Sequence, residues 1–359
     1  MRAFYHPDQA LHRPLQAMRR GRVVPAHDVP ARTEALIKGL ADRGIEVEEP
    51  PEAGWEPAVQ VHTAEYLRFL DEAWPDWQAL GDAGPEVWPG YFPYWSGERS
   101  HNARPSCLAR SILGRAGWFL GDLSAPLTSG TAVAVRRSCA SAVAAARAVI
   151  DGEVVSYALC RPPGHHARTD RAAGACFVNN AAVAAECLRS RFARVAILDI
   201  DVHHGDGTEQ VFYARPDVLT VSIHADPREA YPYFTGGPDD VGFGEGKGFN
   251  FNLPLSVGSG WPDYGPALDR ALARIVAFGA DAVVLSAGFD AYRRDPVGLM
   301  ELEVQDFGRV GARLAALALP MVIVQEGGYE IGAIGECLAA LLAGLGAGPE
   351  GRSGPKVTA

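Results

Sequence analysis

From Val154 onward the chain alternates between short apolar runs and longer segments of helical length. Val154 to Cys160 predicts a buried strand and Val178 to Arg191 an alanine-rich helix. Arg194 to Ile200 predicts the next strand, Thr208 to Tyr213 a short helix, and Val218 to His224 another strand. A glycine-rich loop then leads to an extended segment, Phe249 to Leu255. Helix (Asp263 to Phe278), strand (Ala282 to Ser286), helix (Val304 to Leu317), strand (Met321 to Val324) and helix (Ile331 to Leu345) complete the pattern. Strands that are apolar throughout are buried on both faces, and helix-length spacers between them are the mark of βαβ units. The reading is a single α/β domain over residues 1–345, with a mostly parallel central sheet and helices on both faces.

Two segments depart from this rhythm. Gly81 to Pro105 is dense in Pro, Gly, Trp and Tyr, including Trp88, Tyr91, Phe92, Tyr94 and Trp95. Aromatic residues at that density need a surface to pack on, so the segment predicts a long loop insertion beside a pocket or a subunit interface. Residues 346–359, rich in Gly, Pro and Ser, predict a mobile tail.

Composition narrows the function classes. No apolar run reaches the ~18 residues of a membrane span. The opening Met1-Arg2-Ala3-Phe4-Tyr5-His6 has no apolar signal region, so the expectation is a cytoplasmic protein without a membrane partner. A net charge of −10 argues against a nucleic-acid partner, whose phosphates require neutralisation by basic residues. Among the six cysteines no pair has Cys-x-x-Cys spacing, which argues against a zinc ribbon or a thioredoxin-type site and predicts reduced, buried thiols.

Polar residues bunch just after three of the strands: Asp199 to Asp206, Asp290, and Glu326 to Tyr329. Any one cluster reads equally well as a solvated turn. Together they place charge against deeply apolar runs, at the carboxyl ends of strands where parallel sheets bind ligands. In extended chain Asp199, Asp201 and His203 share a face. Two converging carboxylates and an imidazole call for a divalent cation. An Asp-x-His pair with a distant Asp leaves an open coordination position, as catalytic zinc sites do. The His165-His166 doublet follows a predicted strand on a Pro-Gly loop and offers a general base and acid, with Asp199 and Asp206 available to orient the rings.

Four blocks carry a resemblance: Arg161-Pro162-Pro163-Gly164-His165-His166, Asp199 to Asp206, Ser286 to Asp290 with Asp295-Pro296, and Glu326-Gly327-Gly328-Tyr329. Together they resemble the zinc-dependent histone deacetylase superfamily. The PPGHHA stretch, Asn179 to Ala182 and the Phe-Tyr-His-Pro-Asp opening are most similar to its bacterial acetylpolyamine amidohydrolase branch. The resemblance implies the arginase/deacetylase fold and one catalytic Zn²⁺ held by Asp201, His203 and Asp290. It implies His166 as general base oriented by Asp206, His165 paired with Asp199, and Tyr329 as oxyanion donor. A structural K⁺ held by Asp199, Ser222 and nearby carbonyls follows from the same likeness. So does a homodimer closed by the aromatic insertion over a slender acetylated amine.

The chain also departs from the family's pattern. Ala175 stands where an aromatic commonly forms one wall of the acyl channel, leaving Tyr231 as the opposite wall and widening the slot. Val297 stands where one branch carries a glutamate that grips the substrate's cationic end. Leu123 or Ser124 occupies the other acidic position, so Asp122 is the nearest candidate. The expected reaction is removal of acetyl or a short acyl group from acetylpolyamines, with acyl-lysine peptides and other small N-acyl amides as alternatives. A two-manganese ureohydrolase would need Asp-x-His-x-Asp, and here Asp206 falls one residue too far. A retired, non-enzymatic binding protein would have lost a ligand, a histidine or the tyrosine, and all are present.

Overall fold

The computed structural model describes residues 1–93 and 109–346. The second half of the aromatic segment (94–105), with Tyr94 and Trp95, and nearly all of the tail fall outside the described residues. Among the described residues eight strands form one sheet: β1 (Arg2–Phe4), β4 (Val47–Glu48), β5 (Val155–Ala158), β6 (Val195–Asp199), β7 (Val218–Ala225), β8 (Asn250–Leu255), β9 (Ala282–Ala287) and β10 (Met321–Gln325). Their order across the sheet is β4-β1-β5-β10-β9-β6-β7-β8, and every neighbouring pair is parallel. A separate antiparallel hairpin, β2 (Gln16–Arg19) and β3 (Arg22–Pro25), stands apart from it.

Successive residues of the central strands feed opposite layers. Ile197, Val284, Val322 and Val324 face a layer built with α2 (Ala64–Gln78), α3 (Ile112–Phe119), α4 (Thr131–Ile150) and α5 (Asn180–Arg189). Ala196, Leu198, Val283, Leu285 and Ile323 face α1 (Ala31–Ala41), α7 (Trp261–Phe278), α8 (Val304–Ala315) and α9 (Ile331–Gly344). Both faces are therefore sealed, which is why the strands read as unbroken apolar runs. The short α6 (Asp206–Phe212) follows β6.

Register makes the centre of the sheet useful. Asp199 of β6 pairs with Ser286 of β9, Ser286 with Val324 of β10, and Val324 with Ala158 of β5. The four central strands thus end level. The loops after them, which carry the four sequence blocks, open onto one edge.

Candidate active site

The loop after β6 delivers the first two groups. Asp199 is the last strand residue, and its Oδ1 accepts the Asp201 N–H at 3.0 Å. Asp201 Oδ1 in turn accepts the His203 N–H at 3.0 Å. Each carboxylate thus folds the next step of the turn. Asp290, after β9, enters from the side, its Oδ1 accepting the Val202 N–H at 2.9 Å.

The outcome is a three-donor cluster. His203 Nδ1 lies 3.1 Å from both Asp201 Oδ1 and Asp290 Oδ2, and the three side chains form one of the groups able to hold a metal ion among the described residues. Edges near 3.1 Å are close to those of a tetrahedron around an ion with bonds of about 2.0–2.1 Å, the range for zinc with nitrogen and oxygen donors. Asp201 and Asp290 are buried. Burial and the Asp201 carboxylate push Asp290 up to about 7. The floor is built from glycine: a Cβ on Gly288 would strike the Asp201 carboxylate, and one on Gly327 would strike those of Asp201 and Asp290. The residues fit a small divalent cation.

Two buried histidine–carboxylate pairs flank the cluster. A carboxylate can only accept, so His165 Nδ1–H donates to Asp199 Oδ2 at 2.9 Å and His166 Nδ1–H donates to Asp206 Oδ1 at 2.7 Å. That leaves each Nε2 as the ring's open nitrogen. The two histidines differ electrically. Burial alone would lower His165, but Asp201 and Asp199 hold it well above the usual range. Burial and the adjacent His165 push His166 down to about 4, so its ring is neutral.

A cavity of about 460 Å³ opens over these groups, lined by His165, His166, Ala175, Asp201, His203, Tyr231, Val297 and Tyr329 among others. Tyr231 forms one wall, its ring edge-to-face with His166 at 5.0 Å and His203 at 6.1 Å. Facing chain is minimal: Gly174 and Ala175 are both left-handed (φ 57° and 63°), and a Cβ on Gly174 would run into the His166 ring. Tyr329 enters from the loop after β10, stacked under the Arg32 guanidinium at 4.6 Å. Its hydroxyl has no partner among the described residues, and burial keeps the phenol protonated.

Asp122 lies in the lining with both oxygens occupied. Oδ2 accepts from the Tyr231 hydroxyl at 2.7 Å and the Gly174 N–H at 3.1 Å. Oδ1 accepts from the Ser124 N–H and hydroxyl at 2.9 and 2.7 Å. The carboxylate fastens the Tyr231 wall to the Gly174 loop.

Four further groups, none of them given a role from the sequence, hold this geometry. Buried Glu326 accepts the N–H groups of Gly164 and His165 at 2.7 and 3.1 Å, fixing the histidine loop. Asp295 Oδ2 accepts the Tyr329 and Glu330 N–H groups at 2.6 and 3.1 Å. Arg32 donates to the carbonyls of Gly328 and Glu326, both at 2.6 Å. Arg168 donates through Nε and Nη2 to Asp206 Oδ2 at 3.0 and 2.8 Å, behind the His166 pair. Only the Glu326 and Asp295 positions stood inside sequence blocks; the two arginines could be found only from their partners.

A histone deacetylase domain matches residues 26–345. The chain belongs to the histone deacetylase family. Among curated members, an acetylpolyamine amidohydrolase of Burkholderia pseudomallei (strain 1710b) is 45% identical over 350 residues, 97% of this chain and 99% of that protein. Acetylpolyamine amidohydrolase 1 of Pseudomonas aeruginosa is 41% identical over 337 residues, 93% of this chain and 96% of that protein. The crystal structure of acetylpolyamine aminohydrolase from Burkholderia pseudomallei superimposes with a TM-score of 0.91 at 45% identity, covering 97% and 99% of the two chains. Its fold is the one the four sequence blocks implied.

Asp199 and Ser222 sit opposite each other in the β6–β7 register. Both line a second, very small cavity of about 10 Å³, shared with His204, Glu209, Asn250 and Asn252. In the structure Ser222 is bonded to His224 Nδ1 at 2.8 Å. No helix among the described residues is long and apolar enough to cross a membrane.

Proposed function

We propose that this chain is a zinc-dependent amidohydrolase that removes acetyl or another short acyl group from N-acetylated amines, with acetylpolyamines as the leading substrates. The observation that carries the reading is one cavity lined by Asp201 and His203, which Asp290 completes as a donor set, by His166, which Asp206 orients, and by Tyr329 with its unpartnered hydroxyl. The names of relatives at 38–45% identity over nearly the whole chain support the polyamine assignment.

Zinc, when bound, lowers the pKa of its water and polarises the amide carbonyl. The protein does the rest. His166 takes the proton of the attacking water at Nε2, while Asp206 keeps the opposite nitrogen protonated and the ring aimed. Tyr329 donates its hydroxyl to the carbonyl oxygen as negative charge develops there, a contact worth about 3–4 kcal/mol on the oxyanion-hole scale. His165, held by Asp199, returns a proton to the leaving amine. Acetate and a free amine result.

Asp199 and Ser222 border the position where a structural K⁺ would sit, next to the small cavity. We place the catalytic domain at 1–345 and the working form as a cytoplasmic homodimer, with exposed Tyr91 and Phe92 at the start of the insertion available for an interface. A monomer at working concentration with full activity on acetyl-lysine inside folded proteins would remove that part of the reading.

A second substrate class has its own support. Ala175 offers only a methyl where the slot needs a wall, so bulkier acyl groups and acyl-lysine peptides fit the same opening. The deciding experiment compares kcat/KM for N-acetylputrescine, N-acetylcadaverine, N8-acetylspermidine and an acetyl-lysine peptide on zinc-loaded protein. Preference for the three free acetylated amines upholds the polyamine reading; preference for the peptide overturns it in favour of acyl-lysine.

A further inference from the structure

The rim of the active-site cavity carries a charge that an acetylated polyamine does not explain. Residues 9–27 contain four arginines, Arg13, Arg19, Arg20 and Arg22, and no Asp or Glu, in a chain whose net charge is −10. Three of those arginines crowd the tip of the β2–β3 hairpin. Arg19 pairs with Arg22 across the last rung, and the two residues between them, Arg20 and Gly21, have φ of 51° and 72°. Two successive positive φ values make the tight hairpin turn that matches strand twist, so the tip is a defined structure.

The hairpin is also anchored over the cavity. Arg19 Nη1 donates to the Pro296 carbonyl at 2.7 Å, and the Met18 N–H donates to the Leu123 carbonyl at 3.1 Å. These bonds tie it to the loop after Asp295 and to the loop bearing Asp122. Arg19 and Arg20 both line the cavity, and neither forms an ion pair among the described residues. The rim's negative charge is elsewhere. Glu229, on the exposed loop that also carries Tyr231, lines the cavity, while Asp122 already accepts four hydrogen bonds.

A rim with unpaired guanidiniums on one segment and a carboxylate on another suits a substrate whose free end is a zwitterion. An α,ω-diamine acetylated at one end presents only a cation there, which the arginines repel. An ω-N-acylated α,ω-diamino acid presents the same ammonium plus a carboxylate on the same carbon, and guanidinium is the preferred partner of carboxylate. We propose that the site takes ω-N-acetylated diamino acids, with Arg20, supported by Arg19, binding the α-carboxylate and Glu229 facing the α-ammonium. This rests on the hydrolase reading above and adds a substrate class to the acetylated amines named there. The reaction is unchanged: water adds, the amide C–N bond breaks, and acetate and the free diamino acid leave.

Matched pairs isolate the carboxylate. Nδ-acetylornithine differs from N-acetylputrescine, and Nε-acetyllysine from N-acetylcadaverine, by that group alone. The test measures kcat/KM for both pairs on zinc-loaded wild type and on Arg20→Gln, Arg20→Lys and Arg20→Glu, all at an exposed turn position. The expected result is a fall of about five- to ten-fold in the acid-to-amine ratio for Arg20→Gln, carried by KM. Arg20→Lys should retain most of the ratio, and Arg20→Glu should lower it further while raising kcat/KM for the diamines. Two results overturn the inference and leave the hydrolase reading standing: acetylated diamines turned over with no measurable activity on the acids, or substitutions that move both members of a pair equally. Failure of all four substrates on metal-loaded protein overturns the hydrolase reading and this inference with it.

Discussion

At the scale of single residues, the proposed chemistry depends on a hydroxyl that nothing among the described residues uses. Tyr329 makes no hydrogen bond through its phenol among the described residues, although its backbone is held by Asp295 and its ring by Arg32. Tyr329→Phe should therefore keep the metal and the fold and lose about 10²–10³-fold in kcat. Metal content by elemental analysis and turnover on N-acetylputrescine separate this from His203→Ala, which should lose both. Undiminished turnover in the Phe variant removes Tyr329 from the mechanism. Arg168 makes a second case. Arg168→Met removes both N–H donors from Asp206 while leaving His166 in place, so kcat should fall about ten-fold with little change in KM. An unchanged kcat would make Arg168 a surface residue only. Residue types were readable wherever a short motif carried them: Asp201, His203 and Asp290 meet in space with His165 and His166 beside them, as their positions after the predicted strands suggested. The roles of Asp122, Arg32 and Arg168 were not readable. Each is defined by a partner far away in sequence, as Asp122 is by Tyr231, 109 positions on.

At the scale of elements, apolar runs located β5 to β10 within a residue or two, because a strand covered on both faces has no polar position to blur its limits. Helix starts were less legible. α6 begins at Asp206 and α7 at Trp261, each two residues earlier than the apolar pattern predicts. The N-terminal elements carried weaker signals. β1 and β4 are three and two residues long, and α4 is buried along most of its twenty residues, so it lacks a polar stripe. What fastens that N-terminal region is ionic. Buried Asp28 receives bonds from Arg32 of α1 at 2.6 Å and from Arg161 after β5 at 3.0 Å. Burial acts to raise the Asp28 carboxyl, but Arg161 and Arg32 hold it below the ordinary carboxylate value. A group depressed in the fold stabilises fully above its unfolded pKa, about 3.9. That contribution is lost as pH falls below about 4 toward the lower folded value. Asp28→Asn should cost about 3–5 kcal/mol at neutral pH by stranding two buried guanidiniums. It should also flatten the loss of stability below pH 4. Denaturant midpoints at pH 7 and pH 3.5 check both; equal losses at the two values contradict the assignment.

At the scale of the whole molecule, one parallel sheet with level strand ends turns separate sequence blocks into one site. The family relation and the α/β architecture were legible because the blocks fall on the four central strands. Depth of the cavity and the charge of its rim were not, since they depend on the β2–β3 hairpin packing against loops about a hundred and nearly three hundred residues away. Two buried carboxylates beside a half-buried imidazole also link metal to stability. Zinc at a hundred times its dissociation constant should add about 2.7 kcal/mol, seen as a rise of several degrees in the melting temperature over metal-stripped protein. An unchanged melting temperature would show that zinc does not occupy a preformed site. The most direct measurement of all is acetate release from N-acetylputrescine by stripped protein titrated with zinc. Turnover should be absent without metal, rise linearly to one equivalent, and gain nothing beyond it. Full activity in the stripped protein, or a requirement for a second equivalent, would contradict a single-metal deacetylase.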